Sequence, residues 1–122
     1  MSSQTLFKRH FQYPPISSSE AHGRVNLIGE HTDYNNGFVL PTLIEQKIEV
    51  SLGPRSDTQI VGISEEFGKK TILSDSKTDG TWIDFVRGAL HYMTEEGHPI
   101  SGLDISVTSS IPTGSGLSSS AA

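Results

Sequence analysis

Between Trp82 and Glu96 the apolar side chains follow one spacing: Trp82, Phe85, Val86, Ala89, Leu90 and Met93 stand at i, i+3, i+4, i+7, i+8 and i+11. A helix puts all six on one side, so the pattern predicts a helix over 82–96 with a continuous apolar face. Thr81 stands at the N-cap position, and Asp84, three residues on, makes a weaker version of the capping box. Gly97 and then Pro99 end the helix. An apolar stripe of this kind has to be buried against another layer, and the remaining chain supplies strands for one.

Leu103, Ile105 and Val107 alternate with Asp104, Ser106 and Thr108, and Ile48, Val50 and Leu52 alternate with Lys47, Glu49 and Ser51. Both stretches predict half-buried strands. Thr58–Ile63 and Phe67–Leu73 read as two short strands of a hairpin around Ser64-Glu65-Glu66, after a turn at Gly53–Asp57 and before a polar loop at Ser74–Gly80. Val25, Leu27 and Ile28 predict a buried strand from Gly23 onward. Asn36-Gly37 is a tight-turn signal, and Phe38-Val39-Leu40 is extended up to Pro41. At the start, Leu6, Phe7 and Phe11 fit a short amphipathic helix over Ser3–Phe11, stopped by Pro14-Pro15 and followed by a loop at Ser17-Ser18-Ser19. Strands in hairpin-like succession, with one long helix, predict an α+β fold with a mixed or mostly antiparallel sheet.

At 122 residues the chain has the length of one modest domain. Its net charge of -5, with no basic cluster beyond the short Lys8-Arg9-His10, argues against nucleic acid and anionic membrane as partners. No apolar run approaches the ~18 residues of a membrane span. The N-terminus lacks an apolar signal core, and Lys8, Arg9 and His10 are too sparse for a transit peptide. The absence of cysteine excludes disulfides and thiolate metal sites and suits a reducing cytoplasm, where the chain is expected to work.

Two polar patterns carry chemistry. In Pro112-Thr113-Gly114-Ser115-Gly116, flexible positions precede Leu117-Ser118-Ser119-Ser120-Ala121-Ala122, which reads as the first turn of a helix. Glycines let backbone N–H groups turn toward a polyphosphate, and a helix start adds partial positive charge. Serine hydroxyls can donate to phosphate oxygens or join a magnesium shell. No Lys follows the second glycine and a third glycine is missing, so this is neither the common P-loop nor the dinucleotide fingerprint. A serine-rich helix cap after a loop is the alternative reading.

The second pattern is Gly23-Arg24-Val25-Asn26-Leu27-Ile28-Gly29-Glu30-His31-Thr32-Asp33-Tyr34-Asn35, an apolar strand that opens with an arginine and closes on Glu-His-Thr-Asp. Carboxylates and an imidazole at a strand end can grip several hydroxyls of a polyol, and a mismatched ligand then leaves buried groups unpaired. Arg24 is of the type that stabilises charge on a transferring phosphoryl group. Arg24 paired with Glu30, and Asp33 as a turn cap, are the alternatives. Glu30, His31 and Asp33 as a metal set is disfavoured, because alternate side chains on a strand diverge.

The second of these patterns closely resembles the galactokinase signature. The first resembles the ATP-binding motif of the superfamily of galactose, homoserine, mevalonate and phosphomevalonate kinases. Phe38-Val39-Leu40-Pro41 and Trp82-x-x-Phe85-Val86-x-Gly88 are also similar to galactokinase segments, and in the family an aromatic near Trp82 often borders the adenine pocket. The resemblance runs from about Glu20 to Ala122. It implies the N-terminal part of a two-domain small-molecule kinase, cut at the start of the phosphate-loop helix, with residues 1–19 as a short helical extension and 20–122 as an incomplete kinase domain.

The resemblance further implies ATP-dependent phosphorylation of the anomeric hydroxyl of galactose, with ATP as co-substrate, Mg2+, and a monomer. Arg24 would stabilise the transition state, and Glu30, His31, Thr32 and Asp33 would contact sugar hydroxyls. Gly114, Ser115, Gly116, Leu117, Ser118, Ser119 and Ser120 would wrap the ATP phosphates, with Ser120 as the magnesium ligand. The family's catalytic aspartate lies beyond Ala122, so the 122 residues alone are expected to be inactive. Alternatives are a non-catalytic galactose- and ATP-binding regulator, or a kinase of N-acetylgalactosamine or arabinose. Two positions depart from the family pattern: His22 replaces a proline before Gly23-Arg24, and Phe85 replaces a frequent tyrosine.

Overall fold

A computed structural model describes residues 1–28, 40–73 and 76–112 of the chain. The elements are helix α1 (Ser3–Phe11), strands β1 (Ser17–Ile28), β2 (Leu40–Pro54), β3 (Gln59–Ser64) and β4 (Gly68–Leu73), helix α2 (Ile83–Glu95) and strand β5 (Leu103–Ser109). The strands form one sheet in the order β1-β2-β5-β3-β4. Strand β3 pairs antiparallel with β4, with Val61 opposite Thr71, and parallel with β5, with Gly62 opposite Ile105. The sheet is therefore mixed and the fold α+β, as the spacing predicted.

The chain divides into two compact units, one of Met1–Ser19 with Glu49–Thr108 and one of Glu20–Ile48 with Ser109–Ala122. In the first unit the sheet is covered on both faces. Leu90 and Ile83 of α2 pack on Ile60, Leu103 and Ile105, with Val50, Leu52, Trp82 and Val86 around them. The approach is close at Gly62, where a Cβ would lie 2.6 Å from the Trp82 ring and 2.8 Å from Ile83 Cδ1.

On the other face α1 buries Phe7 and Leu6 and meets a polar floor. Ser3 Oγ and Ser18 Oγ each lie 2.8 Å from Ser51 Oγ, and Ser106 Oγ donates to the Ser3 carbonyl at 2.7 Å. Ser2 caps α1 by accepting from Thr5 N. The alternation in β2 and β5 is thus real, but its polar half is buried too: Ser51 is 0 % exposed, and Asp104, Ser106 and Thr108 are buried. The half-buried expectation fails because α1 covers the polar face, and hydroxyls there satisfy one another.

Other expectations shift in detail. Ser17-Ser18-Ser19 is the start of β1, not a loop, with Ser18 bonded to Ser51 as above. Thr81 does not cap α2: Trp82 is the N-cap residue, without a side-chain bond. Thr81 Oγ1 donates instead to Asp79 at 2.6 Å, and Asp84 accepts from the backbone N–H of Gly80 at 2.8 Å and of Asp79 at 3.2 Å. The buried side of α2 is centred on Ile83 and Leu90, so Phe85, at the flank of the apolar stripe, is 65 % exposed. Gly97, at φ 88, ends the helix as foreseen.

Candidate functional site

Of the residues on which the sequence centres a site, Arg24 lies in β1 with its side chain exposed. Glu30, His31, Thr32 and Asp33, and Gly114, Ser115, Gly116, Leu117, Ser118, Ser119 and Ser120, lie outside the described residues. So do the Asn36-Gly37 turn and Phe38-Val39. The segments that lead into both motifs are described, and they flank β2.

In the second unit a polar seam ties these segments together. Lys47 Nζ of β2 donates to Glu20 Oε2 of β1 at 2.5 Å. That hydrogen bond, with the lysine charge, holds the Glu20 carboxyl below its ordinary range. On the other side Ser110 N donates to the Lys47 carbonyl, and Lys47 N donates to Ser110 Oγ, both at 2.9 Å. One residue of β2 thereby spaces the strand of Arg24 from the segment Ser110-Ile111-Pro112. Ile111 is buried.

His22, where the resemblance leads to the expectation of a proline, donates from Nδ1 to the Ile44 carbonyl at 2.9 Å; since the carbonyl only accepts, the proton is on Nδ1. Proline has no such donor, so a cross-strand bond takes the place of a fixed backbone angle.

The sequence also singled out Trp82-x-x-Phe85-Val86-x-Gly88. Trp82 is half-buried over Gly62, while an added Cβ at Gly88 would meet nothing within 4 Å. The loop before Trp82 is held by ionic contacts. Lys70 Nζ lies 3.0 Å from Asp79, and Arg87 donates to Asp84 at 3.3 Å and to Ser76 Oγ at 2.8 Å. Hydrogen bonds from Thr81, and then Lys70, push the Asp79 pKa down to about 2.

A third polar cluster, on the α1 face, was not visible in the sequence. Asp104, 4 % exposed, accepts from Tyr13 Oη at 2.6 Å and from Arg55 Nη1 at 2.8 Å. Arg55 also grips Asp57 through Nε at 2.9 Å and Nη2 at 2.8 Å, and reaches Gln59 Oε1 at 3.2 Å. Burial first, then the bond to Asp104, raises the Tyr13 pKa to about 12. The hydrogen bonds from Arg55, then from Gln59 N, lower Asp57 to about 2. Arg55 is raised above its usual value by its bonds to Asp57 and Asp104.

Among the described residues, no three His, Asp or Glu side chains are grouped so as to hold a metal ion. None of the described helices is long and apolar enough to cross a membrane.

Comparison with known proteins adds the family. Residues 5–54 match the family model of the galactokinase galactose-binding signature, and residues 84–122 that of the GHMP kinases N-terminal domain. The chain is 40 % identical over 123 aligned residues to a galactokinase of Chloroflexus aurantiacus, and 40 % over 122 to one of Chloroflexus aggregans; each alignment takes 95 % of the chain. It spans 31 % of the length of these curated relatives.

Among solved structures it resembles a Lactococcus lactis galactokinase complexed with galactose, with a TM-score of 0.80 at 31 % identity, covering 95 % of this chain and 32 % of that one. The Methanococcus jannaschii mevalonate kinase shares the fold, with a TM-score of 0.74 at 18 % identity, over 86 % of this chain and 36 % of that one. Fold and matches together define a GHMP kinase N-terminal region. Within that superfamily the chain is galactokinase-like over nearly its whole length. The first match begins at residue 5, so the signature takes in α1 as well as the motif around Arg24.

Proposed function

We propose that this chain forms the sugar-binding part, and much of the ATP-binding part, of a galactokinase, which transfers a phosphoryl group from ATP to the anomeric hydroxyl of galactose. The observation that carries the reading is the pair of family matches, one at each motif, on segments that Lys47 spaces across β2.

In this reading Glu30, His31, Thr32 and Asp33 hold the sugar hydroxyls, so that an epimer leaves polar groups unpaired. Backbone N–H groups of Gly114 to Ser120 cradle the phosphates, and Ser120 holds Mg2+, which neutralises phosphate charge when bound. Arg24, exposed at the described end of β1, turns its guanidinium to the transferring phosphoryl group and offsets charge in the transition state. The chain's own contribution is positioning and charge neutralisation, the two demands of in-line transfer.

The test is thermal unfolding of the purified chain with galactose and MgATP, added separately and together. A cooperative transition that rises with either ligand is expected, since a ligand stabilises the state it binds. A transition that moves with neither overturns the proposal. Arg24→Ala leaves the galactose-induced rise intact, because the arginine acts on the phosphoryl group.

A further inference from the structure

We propose that a groove on the α1 face of the sheet, between the C-terminal end of α1 and the β3–β4 hairpin, binds a phosphorylated ligand of monosaccharide size. The proposal stands apart from the kinase reading and uses none of its residues. The groove has a volume of about 470 Å³ and belongs wholly to the first unit. That is within the range of small-molecule sites and suits a hexose phosphate.

Its hydrogen-bonding ends are mostly donors, and the cause is the network on its floor. Both Asp104 oxygens are taken, by Tyr13 and Arg55, and the three Arg55 nitrogens are spent on Asp104, Asp57 and Gln59. Because Arg55 occupies Gln59 Oε1, the free end of that amide is its NH2. Lys69, Thr71 and the His10 ring also line the groove, and none of the three has a side-chain hydrogen bond or ion pair among the described residues. Donors in excess of acceptors call for a ligand rich in acceptor oxygens.

Charge points the same way. Arg55 is paired with Asp57 and Asp104, so Lys69 is the cation of the lining that no carboxylate pairs among the described residues, and the last turn of α1, which gives His10 and Phe11 to the lining, also carries Lys8 and Arg9. The walls are aromatic: the Phe11 and Tyr13 rings stand 6.5 Å apart between centroids and are tilted by 56°. Such rings give a pyranose a flat apolar surface, while Lys69 takes the phosphate and the Gln59 amide, four residues along the strand pair, meets sugar hydroxyls.

The experiment is an NMR titration of the isotope-labelled chain with glucose 6-phosphate, with inorganic phosphate and glucose as separate arms. Saturable shifts at the amides of Phe11, Gln59, Lys69 and Thr71 are expected, with both other arms weaker. Lys69→Glu, an exposed change, keeps the folded spectrum and weakens binding at least about tenfold by reversing the charge at the phosphate. Gln59→Leu is the second variant and weakens it less. No saturable shift, shifts that persist unchanged in Lys69→Glu, or inorganic phosphate binding as tightly as the hexose phosphate each overturn the proposal. Because Lys69 and Gln59 lie outside the kinase motifs, loss of binding in these variants is separable from any failure of galactose or MgATP to bind.

Discussion

Gly62 and Gly88 are both glycines of regular elements, and they answer to opposite constraints. At Gly62 a methyl would press on the Trp82 ring and on Ile83, so Gly62→Ala forces α2 off the sheet. A loss of about 1–3 kcal/mol is expected, read as a Tm several degrees lower. At Gly88, within α2, a methyl meets open space, and Gly88→Ala removes only the entropic cost of glycine in a helix. It should gain up to about 1 kcal/mol and raise Tm in the same assay. Arg55 is the other decisive single residue. Arg55→Ala strands the buried Asp104 carboxylate, at a cost of about 3 kcal/mol in chemical denaturation, the low end for such a pair because a quarter of the Arg55 side chain is exposed. Replacing Arg55 and Asp104 together with apolar residues costs less than Arg55→Ala alone, since no charge is then left unpaired.

The start of α2 is governed by Asp79 and Asp84, which hold the preceding loop through backbone N–H groups, Thr81 and Lys70. Asp79 titrates at about 2 in the folded chain against an ordinary value near 4. Its contribution is therefore present above pH ~4 and is lost as the pH falls from ~4 toward 2. Tm measured across that window should fall, and Asp79→Asn should flatten the slope; Asp57, shifted the same way by Arg55, and Glu20, by Lys47, contribute too. At this scale the sequence was readable where periodicity rules. The helix over Ser3–Phe11 and the β3–β4 hairpin lie where spacing put them, and α2 lies within a residue of its expected ends. The start of β1 was not legible, because Ser17-Ser18-Ser19 looks like any serine loop until Ser51 is brought within hydrogen-bond reach. Thr81 was misjudged as a cap for a related reason: a carboxylate two residues away competes for its hydroxyl.

Across the whole molecule, long-range contacts were the unreadable part. Tyr13 meets Asp104 across 91 residues of sequence, and Arg55 meets it across 49; no local pattern marks any of the three. The kinase motifs were legible as sequence, whereas most of their side chains lie outside the described residues. The Tyr13 contact also adds a pH dependence on the alkaline side. Its hydroxyl, raised from about 10 to about 12, contributes fully below pH ~10, and the contribution is lost as the pH rises through ~12. Tyrosinate absorbance should show a late-titrating step, and Tyr13→Phe should remove that step together with the associated fall in Tm. The order β1-β2-β5-β3-β4 has a last consequence, for the chain as it is made. Strands β2 and β3 follow one another in sequence, yet β5, the last strand of the seven elements, is seated between them. A ribosome must therefore release about nine-tenths of these residues before the two halves of the sheet can be joined. Until then β2 and β3 each carry an open edge, and the nascent chain depends on whatever shields those edges from its neighbours.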